Sequence, residues 1–76
     1  MASPYLKVVF AELSAGESNL KNLHTVLNGF KSDIPNVNGL NGKDPSGQID
    51  KAMHALTEAY FQVGLLKDFI KEVSNG

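Results

Sequence analysis

From Leu6 onward, apolar residues recur at alternating steps of three and four: Leu6, Val9, Leu13, Leu20, Leu23, Leu27, Phe30 and Ile34. Gly16 holds the one position of that series without a side chain. The rhythm is the seam of a helix packed along its whole length against a neighbour. A strand would alternate by two, and alternation fails between Glu12 and Lys21. Ser3-Pro4 predicts the start, with a serine hydroxyl to accept a first-turn amide and proline at the first helical position. A second series reads Ile49, Ala52, Leu56, Ala59, Val63, Leu66, Ile70 and Val73, opened by Asp44-Pro45 and closed by Ser74-Asn75-Gly76. The pattern therefore predicts one all-α domain over residues 1–76: helices over about 4–33 and 45–74, with a loop over about 35–44. So short a connection makes the pair an antiparallel hairpin. Ile34 then lies level with Ile49, and Val9 with Val73.

Large seam residues on the first helix face a second helix that alternates large side chains with alanine in its first half, which suits interdigitation. Gly16 admits two readings, a flexible point or a close helix crossing, and the flexible point is favoured; glycine there costs about 1 kcal/mol relative to alanine.

One seam cannot use every apolar residue. Phe61, Leu65 and Phe69, spaced by four, form a second stripe on the second helix, while Tyr5, Val8 and Phe10 widen the apolar surface at the start of the first. An antiparallel hairpin brings these two regions together at its open end, far from the loop. No other segment of the 76 residues is left to cover them, and a large exposed apolar patch marks an interface. These six residues are the predicted interface, and dimerisation into a four-helix bundle is the predicted completion of the fold.

Composition points the same way. A chain of this size buries only about 60% of the surface it exposes unfolded. Small domains add disulfides, a metal or a partner, and this one has no cysteine. The expected partner is a second copy or another helical protein. Seven lysines against eight acids, with no arginine and no run of like charge, argue against nucleic acid. No apolar run reaches the roughly 18 residues of a membrane span. Lys7 and Glu12 interrupt the N-terminal apolar run, so no cleavable signal peptide is expected. The expected location is cytoplasmic, or secreted by another route.

Candidate chemistry is sparse. Asp50, His54 and Glu58 form a column at spacing four, the geometry of a ligand set but more commonly a solvated helix face, and no metal is assigned to it. His24 reads as a surface residue beside the seam, and Glu17 with Lys21 as a helix-surface ion pair. No serine has the strand–turn–helix setting of a nucleophile, and no carboxylate pair sits in an evident apolar pocket. "GLNGKDPSG" lacks the Gly-Lys-Ser/Thr ending of a phosphate loop, and Asp44 would repel a phosphate. An enzyme is not expected, nor a cofactor.

The connection "NVNGLNGKDPSG" supplies what a bend needs: Ile34-Pro35 ends the first helix, and Asn38-Gly39 and Asn41-Gly42 suit positive φ. It also holds Leu40-Asn41-Gly42, a Leu-x-Gly tripeptide between two long helices. In this the chain resembles the small helical hairpins of type VII secretion, which carry Trp-x-Gly or Leu-x-Gly at the bend. The resemblance implies a non-catalytic protein that pairs into a four-helix bundle, travels as a dimer or helps load a larger toxin. Two other readings stay open: a subunit of a larger helical assembly, such as a secretion needle or phage component, and a small regulatory partner, such as an antitoxin, immunity protein or chaperone.

Overall fold

A computed structural model describes residues 3–75. Two helices, α1 (Pro4–Asp33) and α2 (Ser46–Asn75), pack against each other as a hairpin, and their connection opens with a 3-10 turn over Ile34–Asn36. Ser3 precedes α1 in an extended conformation, and its carbonyl accepts the Lys7 amide at 3.1 Å. The expected serine cap is not made, because the Ser3 hydroxyl bonds no first-turn amide. Ser3 is exposed and Pro4 brings no N–H, so water can serve the remaining donors. At the other end Pro35 cannot continue the α-helical ladder, and the chain tightens until Val37 N–H donates to the Ile34 carbonyl at 3.2 Å.

The start of α2 is capped as its sequence suggests, one residue later. Asp44 Oδ1 accepts the Ser46 amide at 2.9 Å, and Ile49 N–H closes the first helical bond onto the Pro45 carbonyl. Hydrogen bonds from the Ser46 backbone and side chain hold the Asp44 carboxyl below its usual range.

The result is a rod of 57 × 15 × 14 Å. Its radius of gyration is 17.4 Å, where a compact domain of this length would have about 11 Å. Among the described hydrophobic residues only Ile49 and Ile70 are buried, and no described side chain is fully enclosed. The remaining seam residues, among them Leu6, Leu13, Leu20, Leu27, Leu56 and Val63, are half-buried.

The seam departs from the three-four rhythm in a systematic way. Leu23, Phe30, Leu66 and Val73 were expected on it, yet all four are exposed. His24, Lys67 and Ser74 are half-buried in place of three of them, and Lys31 reaches across to Asp50 beside the fourth. A straight helix has 3.6 residues per turn, so a strict seven-residue repeat drifts about 20° per heptad. After three heptads the drift is about 60°, more than half of the roughly 100° between successive residues, so the next residue along the chain lies nearer the seam.

Polar groups on the seam are paired across it. Lys67 Nζ lies 2.6 Å from Glu17 Oε1, with both side chains largely buried. Glu17 therefore bonds the opposite helix and not Lys21, the expected partner one turn away. Its carboxylate also fills the space beside Gly64, where an added Cβ would meet Glu17 Oε2 at 3.8 Å. The Phe10 ring sits under two ammonium groups, Lys67 at 4.9 Å and Lys71 at 5.7 Å. Gly16 has nothing within 4 Å of an added Cβ, so no close helix crossing requires it.

Candidate interaction surface

Each helical residue turns the side-chain direction by about 100°, which divides the rod into two broad faces. One is marked by contacts between the helices: Glu17 with Lys67, Phe10 with Lys67 and Lys71, and a groove lined by Lys21, Thr25, Thr57 and Tyr60. This face carries the charged and hydroxyl groups Lys7, Ser14, Ser18 and Asp68 by the same count, although its groove is lined largely by apolar surface. Positions turned the other way from the seam make the second face. There α1 presents Tyr5, Val8, Glu12, Ala15, Asn19, Leu23, Val26 and Phe30, all exposed. From α2 the same face receives Lys51, Ala55, Gln62, Leu66, Phe69 and Val73, also exposed. Tyr5 is 73%, Val26 64% and Phe69 60% accessible.

Area measures how unfinished this surface is. The chain exposes 5767 Å², whereas a compact monomer of its 8.2 kDa would expose about 4,500 Å². The excess exceeds the roughly 800 Å² that each partner hides in a standard interface.

The six expected interface residues do not form one patch. Tyr5 and Val8 lie on the apolar face at the open end, with Val73 across from them and Phe69 and Leu66 further toward the loop on the same face. Phe10 lies on the other face, half-buried beneath the two lysines. Phe61 and Leu65 are exposed, but they wrap around the back of α2. Phe61 also stands near mid-rod, at the level of Lys21, because Lys31 is level with Asp50 and Glu17 with Lys67. Leu23, Val26, Phe30, Leu66 and Val73 extend the apolar face and were missed as surface residues. One signal could have found three positions: Tyr5 and Leu23, Val8 and Val26, and Glu12 and Phe30 are each 18 residues apart, which is five full helical turns.

The loop tripeptide forms a tight turn at the rod's tip. Asn41 and Gly42 both have positive φ, +57° and +78°, and Lys43 N–H donates to the Leu40 carbonyl at 3.0 Å. This is the signature of a type I′ turn, which asks for Asn-Gly at its centre. Leu40 is half-buried.

Of the polar candidates, Asp50 is held by Lys31 at 2.6 Å, while His54 and Glu58 are exposed. No cluster among the described residues has the makings of a metal site. His24 is half-buried, not on the open surface, and with Leu20, Leu56 and the residues named above it lines the groove of about 370 Å³. The Thr25 and Thr57 hydroxyls there donate to the carbonyls of their own helices, Lys21 and Met53. No described helix is long and apolar enough to cross a membrane.

No protein-family model, curated protein or solved structure matches the chain.

Proposed function

We propose that the protein is a non-catalytic protein–protein interaction module that works as a helical dimer, with the apolar face of the hairpin as its docking surface. The observation that carries this reading is the exposed row from Tyr5 to Phe30 beside Leu66, Phe69 and Val73, on a rod that buries only two hydrophobic side chains among the described residues. Docking that face onto another hairpin completes a four-helix bundle and gives the chain the core it lacks. Leu40-Asn41-Gly42 at the bend of two thirty-residue helices supports a specific form of the reading: a small type VII secretion substrate or toxin-export helper.

Light scattering coupled to size exclusion tests the association. At tens of micromolar, where interfaces of micromolar affinity are largely formed, the expected mass is that of a dimer. Phe69→Asp should return it to a monomer. A wild-type chain that is folded, monodisperse and monomeric at that concentration would overturn the reading.

A further inference from the structure

We propose that the occupant of the apolar face is a second copy of this chain lying side by side with the first, both loops at the same end, so that α1 of each copy packs on α2 of the other. This rests on the association reading and adds the partner and its direction.

The two helices match each other level by level. Lys31–Asp50 and Glu17–Lys67 fix the levels within the rod: residue n of α1 stands beside a residue near 82 − n of α2. A twofold axis running along the rod preserves those levels between copies. Leu23, Val26 and Phe30 of one chain then meet Ala59, Ala55 and Ala52 of the other, large against small. Where α2 is large at Leu66, α1 offers Ala15, while Phe69 comes level with Glu12 and Val73 with Val8. Asn19 falls opposite Gln62, amide to amide, and at the rim Asp33 falls beside Lys51. Neither Asp33 nor Lys51 is in an ion pair among the described residues.

Rods pointing in opposite directions fit less well. With their faces centred, α1 would pack on α1, setting Phe30 on Tyr5 and Val26 on Val8, large against large. Gln62 would meet Leu66, and Lys51 would lose Asp33. Two copies carry a formal charge of only −2, so self-repulsion is weak. The surface excess per chain is enough for one interface of standard size.

The chain has no cysteine, so Asn38→Cys places a single spin label in the exposed loop of each copy. Loops at the same end put two labels within about 30 Å, given helix spacings of 8–10 Å and the length of the labels. Loops at opposite ends of rods 57 Å long put them about 50 Å apart or more. A light-scattering mass of two chains with the short distance supports the proposal. A mass of two chains with the long distance overturns the side-by-side arrangement and leaves the association reading standing. A monomer overturns both.

Discussion

Phe69 and Ile70 are sequence neighbours with opposite surroundings, 60% and 8% exposed, and that contrast gives a sharp test. In Phe69→Ala the lost area lies on the apolar face, so little of its cost should fall on an isolated hairpin. An aromatic side chain hides roughly 200 Å² when buried, of which about 80 Å² is still available for a partner to cover at Phe69 beyond what alanine would offer. At about 25 cal/mol per Å², that is about 2 kcal/mol per chain. A symmetric dimer contains the residue twice, which makes about 4 kcal/mol, or roughly a thousandfold in Kd. Ile70→Ala instead removes packing inside the hairpin and costs about 2–3 kcal/mol, near the lower end because the open seam can close over the gap. For a domain this small such a loss lowers the melting temperature by roughly 10–20 °C. Sedimentation equilibrium gives the Kd of Phe69→Ala, and circular dichroism melts give the stability of both variants. A Phe69→Ala dimer within threefold of the wild-type Kd would refute the reasoning.

Further tests address other links of the account. Lys67→Ala removes the partner of a largely buried Glu17 carboxylate and the cation over Phe10, so it should destabilise by about 2 kcal/mol, and a double-mutant cycle with Glu17→Gln should show coupling above that of an exposed pair. Gly16→Ala has open space and a helical setting, so it should stabilise by about 1 kcal/mol, seen as a higher melting temperature. Gly42→Ala should do the opposite, because its φ of +78° strains any side chain. Asp44 has its folded carboxyl pKa depressed below the ordinary 3.8, so its contribution is present above that value and is lost as pH falls through the folded pKa. Asp44→Ala should therefore lower the melting temperature at neutral pH and flatten the fall in stability below pH 3.8; an unchanged acid limb in melts of the variant would contradict the cap.

The fold was legible because both helices repeat their apolar residues strongly and carry proline near their starts. The details were lost where one period stood in for another. A seven-residue rhythm through Leu23, Phe30, Leu66 and Val73 coexists with the 3.6-residue turn of a straight helix, and only packing decides which line faces inward. The four apolar residues left out of the seam land on the exposed face, and so became its missing part. Phe10 was misplaced for a related reason: it lies on α1 within five residues of Tyr5 and Val8, yet turns to the opposite side of the seam. Glu17 has both Lys21 and Lys67 within reach of a plausible pairing, and no local pattern distinguishes a helix-surface bond from one across the hairpin. Leu40-Asn41-Gly42 was readable as a turn, since Asn-Gly at positive φ explains its geometry without appeal to function.

The most direct measurement is a series of thermal melts by circular dichroism across a hundredfold range of chain concentration, with the mass followed in parallel by light scattering. If the apolar face is sheltered by a second chain, the melting temperature rises steadily with concentration and the mass falls from two chains to one upon dilution. A melting temperature independent of concentration, on a particle of one chain throughout, would contradict the account.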